Sequence, residues 1–220
     1  MKIEPHIRVT GSEHWAALLL FLCLLFLVWV KTEYPRKIKA LFREIFTGEI
    51  PVKEKGITLP SVLMFFIYLT CLSLIIINLA PFYFKLPIAD RWESFMALFS
   101  ILLIYYLART ALLLLIGFIF EELPATWDYI SAIYIFTHLL GIILLPLAAI
   151  MIYTYGINHK LFGEIILGAG VLLVLYRTVR MFLIMTGRGL KTLYLILYIC
   201  CLEIVPLSLF IKYGLLTHLQ

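Results

Sequence analysis

The sequence predicts an all-α fold: a polytopic transmembrane helix bundle of six spans with one cytoplasmic interfacial amphipathic helix, all in a single membrane domain over residues 1–220. Three observations predict it. The chain is 64% hydrophobic and only 14% charged, against about 45–50% apolar and 25% charged in ordinary globular domains. Its apolar residues gather into six long segments. Its four tryptophans all fall near the ends of those segments, where an aromatic belt is expected.

The segments are 14–30, 58–80, 92–120, 129–154, 164–186 and 192–212. Each is long enough to cross roughly 30 Å of hydrocarbon as a helix. The third is long, which implies tilt or projection. The first ends at Lys31-Thr32-Glu33-Tyr34-Pro35 and lacks a small-x-small cleavage pattern, so it reads as a retained span and not a signal peptide. Trp15, Trp29, Trp92 and Trp127 mark span ends. The late prolines Pro146 and Pro206 in spans four and six are too little to define an internal repeat.

Lysine and arginine set the orientation. Lys31, Arg36, Lys37, Lys39, Arg43, Lys53 and Lys55 lie between spans one and two, and Arg177, Arg180, Arg188 and Lys191 around the link between spans five and six. That places eleven on one side. Lys2, Arg8, Lys85, Arg91, Lys160 and Lys212 make six on the other. The richer side is expected to be cytoplasmic, with both termini facing outward. The acidic link Glu121, Glu122 and Asp128 falls on the cytoplasmic side and counts little in this rule.

The link between spans one and two carries an interfacial helix over 35–47. Ile38, Leu41, Phe42, Ile45 and Phe46 share one helical face, flanked by Arg36, Lys37, Lys39 and Arg43. Pro35 suits the first turn and Gly48 the residue past the end. This basic face fits anionic lipid headgroups. The rival is docking to a cytoplasmic or membrane-protein partner. The basic excess lies beside apolar runs and no nucleic-acid-binding signature occurs, so nucleic acid is not an expected partner.

Ionisable groups inside spans are costly and usually face the bundle interior. The candidates are Arg109, His138, Arg177, Arg180 and Glu203. Counted along their own spans, Arg109, His138, Arg177 and Glu203 fall in one layer about 15 Å from the cytoplasmic boundary, with Arg180 one turn nearer it. Tyr105 and Tyr106 sit one turn before Arg109 and are placed to hydrogen-bond toward it. Tyr176 lies four residues before Arg180. Pro206 leaves the Leu202 carbonyl free and kinks span six beside Glu203. Three arginines against one glutamate leave an excess of positive charge. A bound anion neutralises it, since arginine donates in bidentate fashion to phosphate or carboxylate. Alternatively Arg109 pairs with Glu203 while Arg177 and Arg180 reach the headgroups. His138 is a ligand on the first account and a satisfied interior histidine on the second.

No zinc-protease, nucleophile-elbow or P-loop motif occurs, and Glu203 has no second intramembrane carboxylate. Cys23, Cys71, Cys200 and Cys201 lie in apolar runs without a C-x-x-C spacing, so no metal site or cofactor is expected and they read as small buried hydrophobes. Gly168 and Gly170 are small enough for close helix packing.

The stretches "YYLARTALLLLIGFIFEE", "YIFTHLLGIILLPL", "LYRTVRMFLI" and "LYLILYICCLEIVPLSLFIKY" resemble an uncharacterised family of Bacteroidetes polytopic inner-membrane proteins, the domain of unknown function numbered 4271. The resemblance runs over about residues 60–212. Its marks are the glutamate before proline, the Tyr-Tyr-x-x-basic element and the Tyr-Arg-x-x-Arg element. Span four departs from it, with His138 where a polar or basic residue is expected. The resemblance implies a bacterial inner-membrane protein and no particular activity. Three functions stay open: an anion- or lipid-handling protein or transporter, a non-catalytic scaffold or assembly subunit, and an intramembrane lipid-modifying enzyme.

Overall fold

The computed structural model describes residues 14–35, 58–83, 91–119, 121 and 123–153, together with scattered residues between 163 and 179, those all helical. Four long helices organise them: α1 (His14–Glu33), α2 (Leu59–Tyr83), α3 (Arg91–Ile119) and α4 (Leu123–Tyr153). All four are long and apolar enough to cross a membrane. No strand occurs among the described residues. The interfacial helix over 35–47 (past Pro35) and the sixth span lie outside them, and the fifth span is described only in part.

Helix α2 is the centre of the bundle and packs against α1, α3 and α4. It is also the most enclosed, with Ile67–Cys71 and Ser73–Ile75 buried. It starts cleanly. The Thr58 carbonyl accepts from the amides of Ser61 and Val62, and the Thr58 and Ser61 hydroxyls hydrogen-bond at 3.0 Å, a polar N-terminal cap. Pro60 falls in the first turn, where no amide donor is required.

The closest approach is between α2 and α4. A Cβ built on Gly141 would lie 3.2 Å from both the Cβ and the backbone nitrogen of Tyr68. That is tighter than ordinary van der Waals contact, so a larger residue would push the Tyr68 backbone away by a few tenths of an ångström. By contrast, no described residue lies within 4 Å of a Cβ built on Gly168 or Gly170. Pro146 sits inside α4 without ending it.

Helices α3 and α4 form a tight hairpin. At its turn Glu121 has φ 58°, and its amide bonds the Phe118 carbonyl at 3.3 Å. This is a left-handed residue past a helix end, the position glycine usually takes. Gly117 packs so close to Thr126 that a Cβ there would collide with its side chain.

The helices do not end on one plane. Trp15 and Trp92 meet at 5.3 Å, which puts the starts of α1 and α3 level. Both helices then rise about 1.5 Å per residue, so Glu33 at the end of α1 comes level with Thr110. The Phe26–Phe66 contact at 6.3 Å gives the same answer for α2, bringing its cap at Thr58 level with Tyr34. The last nine residues of α3 and about the first ten of α4 therefore project roughly 14 Å past the ends of α1 and α2. The projection is apolar: Leu112, Leu115, Phe118 and Ile119 are exposed, Phe118 by 72%. The excess length of α3 expected from the sequence is thus real and lies at this end.

The tryptophans follow the same offset. Trp29 stacks edge-on with Tyr34 at the end of α1. Trp127 is exposed on the projecting part of α4, roughly 15 Å further out along the bundle. Each marks its own helix end, but the two do not share a belt.

Two stability outcomes follow from these contacts. Gly141→Leu is expected to lower the melting temperature in detergent by the equivalent of about 1–3 kcal/mol, while Gly168→Leu leaves it unchanged. Glu121→Gly is expected to raise stability by about 1 kcal/mol, because the left-handed conformation then costs nothing; thermal unfolding of the purified chain reads both.

Candidate functional site

Arg109 is the buried charge of the described bundle, 8% exposed on α3. It lines a small cavity with Phe65 of α2, Tyr106, Thr110 and Leu113 of α3, and Ile133, Tyr134 and Thr137 of α4. The cavity's volume for the centre of a water-sized sphere is about 10 Å³, near the smallest that admits one water. A phosphate does not fit in it. Counted along α3, Arg109 has ten residues beyond it to Ile119, in line with the depth read from the sequence. Measured against its neighbours it lies elsewhere, level with the last residues of α1. Arg109 therefore lies at one end of the two shorter helices, while Arg177 and Glu203 of the expected layer lie outside the described residues.

The tyrosines divide. Tyr106 was expected to turn toward Arg109; its ring lines the Arg109 cavity, but its hydroxyl meets the hydroxyl of Tyr68 at 2.6 Å. Its ring also stands edge-on to Phe65 at 5.4 Å. Tyr105 is on the outer side, 37% exposed, with its ring 5.5 Å from that of Tyr106. Tyr68 was not singled out from the sequence. The available signal was a polar-tipped ring within the apolar run of α2, and its partner is 38 positions away, beyond any local pattern.

His138 is 6% exposed. Its Nε2 lies 3.0 Å from the Ser61 carbonyl oxygen. A carbonyl only accepts, so Nε2 carries the proton and donates. The bond crosses from the middle of α4 to the first turn of α2. Tyr134, one turn earlier, has its ring 6.2 Å from the imidazole. His138 therefore has the geometry of a helix-to-helix tie.

Three interior threonine hydroxyls bond within their own helices. Thr70 donates to the Phe66 carbonyl, Thr110 to Tyr106 and Thr137 to Ile133, each at 2.9 Å. Such back-bonding satisfies a polar side chain without a partner helix, as a chain in hydrocarbon requires. Among the described residues no three His, Cys, Asp or Glu side chains come together as a metal site.

The helical residues between 163 and 179 reach this level from the opposite end. Gly163 packs on Leu79, and thirteen residues on, the Tyr176 ring meets Phe136 at 6.3 Å. Phe136 lies within a turn of Ile133 and Thr137, which line the Arg109 cavity. Arg177, Arg180 and Glu203 lie outside the described residues, as do Arg36, Lys37, Lys39 and Arg43 of the basic segment.

These features belong to a multi-helix membrane protein with a buried basic residue near one end of its shorter helices. The chain belongs to the family described as domain of unknown function DUF4271, whose model matches residues 16–213. The match takes in nearly all of α1 as well as the segments that carried the resemblance. Comparisons with curated proteins and with solved structures give no match.

The hydroxyl pair offers a direct check. Tyr106→Phe is expected to cost about 1 kcal/mol, and Tyr68→Phe a similar amount. The double variant should cost little more than either, because no hydroxyl is then left facing an apolar wall. Denaturant or thermal unfolding of the four proteins measures the coupling.

Proposed function

We propose that this chain is a six-span protein of the bacterial inner membrane that binds a phosphate-bearing anion, a lipid headgroup of the cytoplasmic leaflet, at the level of Arg109. The observation that carries the reading is the height of Arg109. It is buried, yet stands level with the Lys31–Tyr34 end of α1, where the positive-inside rule puts the cytoplasmic headgroups. A cation at that height lies within reach of lipid phosphates without crossing the hydrocarbon.

The described side chains leave room only for water, so they do not make the whole site. On this reading the rest comes from the fifth and sixth spans. Tyr176 stands beside Phe136 at this level, and Arg177 follows it directly in the chain. Arg177 and Arg180 add cationic donors, and Glu203 orients one of them. Arginine suits the task because its planar fork donates two parallel hydrogen bonds to a phosphate. The basic segment Arg36, Lys37, Lys39 and Arg43 concentrates anionic lipids at the same surface. Both termini are then periplasmic.

A second reading, an assembly subunit of an envelope complex, draws on a different observation. Leu112, Leu115 and Phe118 form an exposed apolar strip beyond the ends of α1 and α2. A partner helix would cover it.

Native mass spectrometry separates the two. The wild-type chain, released from vesicles of phosphatidylglycerol and phosphatidylethanolamine, is expected to retain phosphatidylglycerol. Arg109→Gln and Arg177→Gln should each lower that retention at least tenfold, and Arg109→Lys should lower it less. Equal retention by all variants, with unchanged melting temperatures, overturns the headgroup reading. Loss of a co-purifying membrane protein from Leu115→Asn with lipid retention intact favours the subunit reading.

A further inference from the structure

Two cysteines stand apart from everything assigned so far. Cys23 lies midway along α1 and Cys71 midway along α2, and neither has any exposed surface. They share one apolar cluster with Val30, Met64 and Ile67. Both are free thiols, and their side chains meet within that cluster. The Thr70 side chain also reaches Cys23.

The sequence gives no hint of this, since the two residues are far apart in the chain and form no C-x-x-C. The packing of α1 on α2 brings them together. Structural cysteines that only fill space have no need to face one another. Two thiols already in contact on separate helices are one oxidation away from a covalent bond between them.

We propose that Cys23 and Cys71 form a membrane-embedded dithiol that a lipid-soluble quinone oxidises to a disulfide. The step balances. Two S–H bonds break and one S–S bond forms. The two electrons and two protons pass to the quinone, which leaves as the hydroquinone. The class of oxidant follows from position. Cys23 is about ten residues, roughly 15 Å, from either end of α1, so charged aqueous oxidants stop at the membrane surface. Helix α1 is peripheral, with Leu18, Phe21, Leu24 and Leu25 turned outward. Its displacement toward lipid opens the pair to a hydrophobic oxidant. The disulfide then pins α1 to α2 and holds together the two ends of the basic segment between them.

The test uses the full chain with Cys200→Ser and Cys201→Ser, in membrane vesicles, exposed to decylubiquinone or to oxidised glutathione. After acid quenching and denaturation, free thiols are counted as gel shifts with a maleimide-coupled polyethylene glycol. Quinone is expected to remove both shifts together, dithiothreitol to restore both, and glutathione disulfide to have no effect. Adding Cys71→Ser should leave Cys23 fully labelled after quinone. Two persisting shifts after quinone overturn the proposal. So does a loss of label that dithiothreitol does not reverse, which is arylation and not disulfide formation. So does oxidation by glutathione disulfide alone.

Discussion

The near contact of α4 with the backbone of α2 at Gly141 sets the register of the whole bundle. With Gly141 against Tyr68, α4 cannot slide along α2 without driving a larger residue into that backbone. This position brings His138 to the Ser61 carbonyl. It also brings Tyr134 beside Phe65 at 5.9 Å, and Phe65 in turn meets Tyr106. Arg109 takes its surroundings from both helices at once. A one-turn shift of α4 would move about 5.4 Å and break the histidine bond, the ring contacts and the lining of the Arg109 cavity together. A missing Cβ on one residue thus governs the polar interior.

That interior follows one economy. Most of its polar side chains are short, and they close on their own helix. Thr70, Asn78, Thr110 and Thr137 each reach a carbonyl one turn back. Ser73 is the exception among the described residues, enclosed and without a hydrogen bond. Two hydrogen bonds tie α2 to its neighbours, Tyr68 to Tyr106 and His138 to Ser61. Both join α2 to a neighbour, and both lie toward its Thr58 end. Among the described residues, the other half of α2 packs in the apolar cluster around Leu74, Ile75 and Leu79. Among the described residues, these two ties of α2 lie at the end that carries Arg109.

Much of this architecture was legible in the sequence. The apolar runs give α1, α2 and α3 nearly to their ends, because a run of about twenty apolar residues has few other uses. The start of α4 was not legible. The apolar stretch begins at Tyr129, but the helix begins at Leu123, since Thr126, Trp127 and Asp128 are tolerated in a helix that hydropathy alone would not extend. His138 and Arg109 were visible as charges in apolar surroundings, while their partners were not. Ser61, Tyr68 and Phe136 become neighbours only through packing between helices. Counting from each helix end puts the charged residues at one level only if all the ends lie on one plane. Helix lengths of 20, 25, 29 and 31 residues break that assumption.

The unequal ends pose a solvation problem with a definite form. If the hydrocarbon edge follows the end of α1, then Leu112, Leu115, Phe118 and Ile119 stand in the headgroups or beyond, with too much apolar surface to be left in water. If the edge follows the hairpin turn at Glu121, then the cap of α2 at Thr58 and the end of α1 lie about 14 Å inside, and Lys31 and Glu33 with them. The second arrangement buries charges on a peripheral helix and is the more costly. The first needs only a cover for an apolar strip, which protein or a locally thickened lipid surface supplies. The cheaper choice leaves the membrane edge at Arg109. On that choice its burial is not a charge carried across hydrocarbon but a cation held at the surface, walled in by the projecting hairpin.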